Sequence, residues 1–381
     1  MPTRHVHVSL AVAFAVLVAA LPLARAQNAP GLPPLAAIAS ERPLPPPPGS
    51  IPVRMRTQHF LLKASAVPRL PAPAPVDSAL LNGGAATILR QFPPEQWSCT
   101  RRGGRAIDPA VAAQLPASLH GACFYEGFET LAVVWNSETG GLMQVHRGGY
   151  VAASVLRRRM VSTRFHGVML RDTRLPAMVA RDNDSVLLEQ TGFVTSRPVA
   201  PPPEEFLRTV QPSERWIYVD RDNQLLVAYV GRAPVMLTFV STGRGYFPTY
   251  LGEYRVIRKL TLGNMRDYDP GRGDRPYHIT GIPDIQYFNR GQAFHGVFWH
   301  NRFGTRTSHG CVNMSLADAQ WLYDFTEPLP NRWPRRGTTS GAVTTPAPVW
   351  FQGREGAGNR VFVYSAERGL AGGQGRARGR R

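Results

Sequence analysis

Lysine is almost missing from this chain of 381 residues: only Lys63 and Lys259 occur, and every other basic residue besides histidine is arginine. Acidic side chains are few as well, 26 Asp and Glu against 44 Lys and Arg, which leaves a formal net charge of +18. Cysteine is scarcer still, at three positions. That count excludes a disulfide-dense scaffold, and three thiols cannot all pair. Beyond residue 23 there is no apolar run long enough to cross a bilayer, so an integral membrane protein is not expected once the leader is removed. No nucleic-acid motif accompanies the positive charge, so nucleic acid is not an expected partner; anionic envelope polymers, phospholipid headgroups and carboxylate-rich peptides fit better. There is no HExxH helix and no acidic residue between His295 and Asn313. Both absences count against a zinc peptidase, and no metal or cofactor is expected.

What is present begins with a leader. Arg4 precedes an apolar run from Leu10 to Leu23, and Ala24-Arg25-Ala26 places small residues at both cleavage positions. Residues 1–26 therefore read as a secretory signal peptide, and the protein as exported to the periplasm or cell envelope. In such a compartment Cys99 and Cys123 are expected to bridge each other, leaving Cys311 as the unpaired thiol.

Composition then divides the chain. Residues 27–77 are proline-rich, including Pro45-Pro46-Pro47-Pro48, and read as an extended linker, with one short strand near His59-Phe60-Leu61-Leu62. Residues 78–197 read as a small β-rich module of unknown role, with strands at 131–135 and 149–152 and turns at Gly140-Gly141 and Gly148-Gly149. A second linker spans 198–213, opening with Pro-Val-Ala-Pro-Pro-Pro. Strands are expected at 216–219, 225–230, 235–240, 254–257 and 360–364, with turns at Asp222-Asn223 and Gly231-Arg232. Leu260 to Pro276 reads as a Gly-, Asp- and Arg-rich loop beside the site, and residues 366–381 as a basic, disordered tail.

The chemistry gathers between Phe294 and Phe325. His295, His300, His309 and Cys311 stand among Gly296, Gly304 and Gly310. Ser315-Leu316-Ala317-Asp318 has the form of a capping box, and Leu316, Ala319, Leu322, Tyr323 and Phe325 recur at helical spacing until Pro328. Cys311 would then lie ahead of a helix N-terminus, where the dipole favours a thiolate. His295 or His300 is the base such a nucleophile needs; on the residues alone both remain open.

Ser308-His309-Gly310-Cys311-Val312-Asn313, with His295-Gly296 upstream, resembles the signature of L,D-transpeptidases of the YkuD type. These are envelope enzymes that cross-link or remodel peptidoglycan through a cysteine. Ser241-Thr242-Gly243 and Thr249-Tyr250-Leu251-Gly252-Glu253-Tyr254 are similar to a second family motif, with Tyr250 standing where proline is usual. The likeness covers residues 214–365 and says nothing of residues 27–200. It implies a mainly β fold, in which a mixed β-sandwich with one principal helix follows the β-rich module. It also implies Cys311 as nucleophile and His295 as base, with Gly310, His309 and Ser308 shaping the oxyanion turn. Asn313, Tyr287 and Gly296 would meet a peptidoglycan stem peptide. The acceptor is left open: an amine, giving transpeptidation, or water, giving an L,D-carboxypeptidase. A non-catalytic wall-binding protein is the third reading.

Overall fold

The computed structural model describes residues 44–46, 53–54, 57–99, 106–126, 129–134, 137–146, 148–158, 163–170, 175, 178–182, 185–189, 197–199, 201–267, 277–326, 351–352 and 358–366. The expected signal peptide lies outside these residues, as does the basic tail beyond position 366. Among the described residues no helix is long and apolar enough to cross a membrane.

Seven strands build the first region: β1 (Thr57–Leu62), β2 (Val67–Arg69), β3 (Cys123–Tyr125), β4 (Thr130–Val134), β5 (Leu142–Gln144), β6 (Tyr150–Ala152) and β7 (Leu156–Arg158). β1 lies at the centre of an antiparallel sheet in the order β4-β1-β7, while β2–β3 and β5–β6 form separate pairs. The glycine turns take left-handed backbone, with Gly140 and Gly141 at φ 57° and 75° and Gly148 and Gly149 at 100° and 84°. Cys99 and Cys123 are disulfide-bonded, and both lie in the apolar core with Leu62, Val111, Leu119 and Phe124. β1 and β2 fall inside the stretch read as linker. The alternation explains it: Phe60 and Leu62 enter this core, while Thr57 and His59 sit on the opposite face, against Gly281.

Four short strands lead on: β8 (Val168–Met169), β9 (Met178–Asp182), β10 (Ser185–Glu189) and β11 (Arg197–Pro198). Within the stretch read as a second linker, several apolar side chains are buried. Val199, Phe206, Leu207 and Val210 are buried against Trp216, Tyr229 and Phe362, because proline directs a chain without preventing apolar neighbours from packing.

The rest forms two facing sheets. The strands are β12 (Arg215–Asp220), β13 (Leu225–Val230), β14 (Ala233–Phe239), β15 (Gly252–Arg255), β16 (Arg258–Asp267), β17 (Tyr277–Asn289), β18 (Gln292–Gly296), β19 (Val312–Met314), β20 (Phe351–Gln352) and β21 (Arg360–Tyr364). One sheet runs β15-β21-β12-β13-β14-β8, and the other β19-β18-β17-β16-β20. Both are mixed, since β12–β21 and β18–β19 are parallel pairs among antiparallel ones. Ile217, Val219, Leu226 and Val361 meet Phe288, Phe294, Val312 and Met314 between the sheets. The Leu316–Phe325 helix packs Ala319, Trp321, Leu322 and Phe325 into that same core. The fold is mainly β with one principal helix.

The loop expected from Leu260 to Pro276 is strand as far as Asp267. Leu260 and Leu262 are buried there at 3% and 7%, and alternation of apolar side chains outweighs the local polarity. Residues 268–276 lie outside the described set.

Candidate active site

Cys311 stands immediately before β19, on a turn braced from several sides. Gly310 has φ 110°, a conformation that favours glycine. The Ser308 hydroxyl donates to the Cys311 carbonyl at 2.5 Å and accepts the Gly310 amide at 3.0 Å. Thr249 donates its hydroxyl to the Gly310 carbonyl at 2.9 Å, and its own oxygen accepts the Gly243 amide at 2.9 Å. Ser241 exchanges backbone hydrogen bonds with Asn313, at 2.8 and 2.9 Å. The Ser-Thr-Gly segment is thus a scaffold for the turn that carries Cys311.

The parallel pairing of β18 with β19 sets His295 opposite Asn313. Side chains two apart on a strand share a face, so Cys311, Asn313 and His295 come to the same side of this sheet edge. His295 is 2% exposed, and its Nδ1 lies 3.1 Å from the Gly296 carbonyl oxygen. A carbonyl only accepts, so Nδ1 carries the proton and Nε2 keeps its lone pair. His300 is wired the other way. Its Nδ1 accepts the Arg302 amide at 3.2 Å, which leaves the neutral ring's proton on Nε2. The Nε2 proton has Thr307 Oγ1 at 3.4 Å as its acceptor, with Asn313 Nδ2, itself a donor, 3.2 Å away. Between the two candidate bases, only His295 presents an uncommitted basic nitrogen.

Burial holds both imidazoles neutral. It lowers His295 and His300 to about 4; the Arg302 guanidinium adds to the effect at His300, while at His295 the Gly296 carbonyl works against it. The thiol is displaced in the opposite sense. Cys311 is half-buried and packs on Ala293, Phe298, Ile282 and Ile285, and loss of water raises it to about 11. The helix effect expected from sequence does not prevail, because strand β19 and Ser315 separate Cys311 from the helix. At rest the pair is neutral thiol and neutral imidazole. Sγ lies 3.7 Å from the Gly291 carbonyl, which accepts its proton.

The remaining residues singled out by sequence fall as follows. His309 packs its ring on Phe247, with centroids 4.5 Å apart. Tyr287 is half-buried beside the apolar cluster under Cys311, with the Arg258 guanidinium 5.2 Å above its ring. Gly296, expected at the substrate, is buried instead: a Cβ there would lie 2.8 Å from Leu316 Cδ2. Its contribution is the carbonyl that orients His295. Asn313 is likewise 4% exposed, with its side-chain Nδ2 3.2 Å from His300 Nε2. Sequence reasoning missed Gln292, which packs against Gly310, because nothing local marks that contact.

The sequence model of the YkuD family, described as the L,D-transpeptidase catalytic domain, matches residues 214–358. The likeness to the YkuD-type domain is confined to residues 214–358. Among solved structures, this chain is similar to an L,D-transpeptidase from Mycobacterium smegmatis, at 20% identity over 40% of this chain and 58% of that one, with a TM-score of 0.30. It is similar to the catalytic domain of the Enterococcus faecium L,D-transpeptidase, at 18% identity over 40% and 98% of the two chains, TM-score 0.28. It is similar too to L,D-transpeptidase 3 from Mycobacterium tuberculosis, at 17% identity over 39% and 60%, TM-score 0.30. The likeness thus spans less than two thirds of either mycobacterial chain. No curated protein matches the sequence. The YkuD-type domain contains every residue of the site described above.

Proposed function

We propose that the YkuD-type domain is a peptidoglycan L,D-transpeptidase working through Cys311. The observation that carries this reading is the wiring of His295, whose Nδ1 is held by the Gly296 carbonyl so that Nε2 serves as base on the Cys311 face. Cys311 Sγ attacks the carbonyl between the third and fourth residues of a tetrapeptide stem as His295 Nε2 takes the thiol proton. The C–N bond breaks, the imidazolium returns the proton, and D-alanine leaves with a thioester remaining on Sγ. An amine acceptor then attacks the thioester, gives its proton to His295, and releases Cys311 as thiol.

A neutral resting pair suits this order of events, since the proton leaves sulfur only when an electrophile is in place. The Gly310 amide is already engaged by Ser308, so the oxyanion falls to the Cys311 amide on the left-handed turn. Tyr287 would line the donor groove. The enzyme would act in the periplasm or envelope after loss of residues 1–26, with its arginine surplus drawn to anionic envelope polymers.

The test is the intact mass of the mature protein after exposure to a disaccharide-tetrapeptide and, separately, to a carbapenem. An acyl adduct present in wild type and lost in Cys311→Ala is expected. Transpeptidase turnover retained in Cys311→Ala would end the cysteine mechanism. Product analysis with an added D-amino acid separates the acceptors: a new amide marks transpeptidation, and free tripeptide alone marks the carboxypeptidase.

A further inference from the structure

Strand β18 begins with Gln292, whose amide is buried. Both of its ends are used. Nε2 donates to the Pro248 carbonyl at 2.9 Å, and Oε1 accepts the Tyr250 amide at 3.2 Å and Asn289 Nδ2 at 3.4 Å. The two backbone partners flank Thr249, whose hydroxyl holds the Gly310 carbonyl at 2.9 Å. The Gln292 side chain also lies directly on Gly310: a Cβ built there would be 2.8 Å from Nε2 and 3.5 Å from Cδ and Cγ. The residue before it, Gly291, offers the carbonyl that faces Cys311 Sγ at 3.7 Å.

We propose that Gln292 is a positioning residue for the nucleophile: with the Tyr250 backbone amide it clamps the Gly310 turn and so sets where Cys311 Sγ points. Thr249 pins the carbonyl side of Gly310 while Gln292 closes over its Cα, so the peptide leading into Cys311 has little room to rotate. The clamp depends on an N–H at position 250, which any residue except proline supplies. Pro248 serves as an acceptor, which proline provides as well as any residue.

The clamp deepens the thioester reading, and it makes its own prediction about the thiol. Full-length Gln292→Ala, Tyr250→Pro, Tyr250→Ala and the Gln292→Ala/Tyr250→Pro double variant would be compared with wild type, with near-UV circular dichroism to verify folding. Two rates are measured: acylation by a carbapenem, and alkylation of Cys311 by iodoacetamide across pH. Gln292→Ala and Tyr250→Pro are each expected to slow acylation by about 10- to 100-fold, the range for a slightly misplaced catalytic group. Tyr250→Pro should lose more than Tyr250→Ala, which keeps the amide, and the double variant should lose no more than the worse single one. In both clamp variants the alkylation midpoint should fall toward that of an ordinary thiol as water reaches the loosened turn.

Acylation and alkylation midpoint both unchanged in folded Gln292→Ala would overturn the proposal, as would additive losses in the double variant. Should Gln292→Ala fail to fold, Gln292→Glu preserves the shape and the acceptor for Tyr250 while deleting the donor to Pro248, and the same criteria apply. Wild type that never acylates, with a midpoint that still shifts in the variants, would refute the thioester reading and leave the clamp standing.

Discussion

The imidazole of His59 lies nearly flat on the ring of Phe298, with centroids 3.5 Å apart and planes 25° from parallel. His59 belongs to β1 of the first β-rich region, and Phe298 packs in the cluster that also contacts Cys311. His59 Nε2 lies 3.1 Å from the Gly281 carbonyl, and the Ala132 amide donates to Thr280 Oγ1 at 2.7 Å. The first region is therefore seated on β17, one packing layer from Cys311.

That seat is sensitive to acid. Burial, with His146 nearby, lowers His59 to about 4, below the ordinary histidine value. The unfolded chain binds a proton there as pH falls through about 6.5 while the folded chain does not, so stability is full above that pH and declines toward 4. A single such histidine accounts for up to about 3 kcal/mol. In His59→Phe, which keeps a ring on Phe298, the fall in unfolding free energy between pH 7 and 4.5 should be shallower than in wild type. Equal slopes in urea titrations of the two proteins would show that His59 titrates freely.

Asp318 is fully buried and does more than lie in the first turn of the helix. Its amide donates to the Ser315 hydroxyl at 3.1 Å, completing half of a capping box. Its carboxyl accepts the amides of His166 and Gly167 at 3.1 Å each and the Thr238 hydroxyl at 2.9 Å. Asp318→Ala strands these buried donors and should cost about 3 kcal/mol or more in urea unfolding. Burial raises Asp318 to about 6, so its titration opposes that of His59: the contribution is present below the ordinary carboxyl value and lost as pH rises through 6. Asp318→Asn should abolish that component, and an unaltered pH–stability curve would contradict it.

The thiol offers a direct kinetic reading. With Cys311 raised to about 11, the thiolate is a minute fraction at neutral pH. Alkylation by iodoacetamide should rise roughly tenfold per pH unit from neutrality toward that value. A plateau already reached below pH 7 would mean a preformed thiolate–imidazolium pair and a different ground state.

How far such features can be read from sequence varies along the chain. β12 and β13 were legible because apolar, β-branched and aromatic residues fill them end to end, and both faces are buried. The helix was legible through Ser315 and its spacing. β17 was not: Pro283, Gly281 at φ 65° and Asp284 at φ 54° look like turn residues, yet they lie within a 13-residue strand held by neighbours on both sides. Cys311 and His295 stood out because their motif is local. Gln292 and the opposite wiring of His295 and His300 depend on partners that only the fold brings near. The thiol's raised value was missed for the same reason, since its apolar neighbours Ile282, Ile285 and Ala293 come from other strands.

Gly310→Ala separates two causes of strain at the nucleophile. The backbone there is at φ 110°, which a residue with a Cβ rarely adopts. The added methyl would also stand 2.8 Å from Gln292 Nε2. Acylation of Gly310→Ala by a carbapenem is expected to fall by at least about 100-fold, because the turn must shift and carry Sγ with it. Gln292→Ala in the same chain removes the steric contact and leaves the backbone preference, so it should restore only part of the loss. A double variant as fast as Gln292→Ala alone would assign the whole effect to the clash. If the second substitution restores nothing, the left-handed turn itself is what holds Cys311 in register.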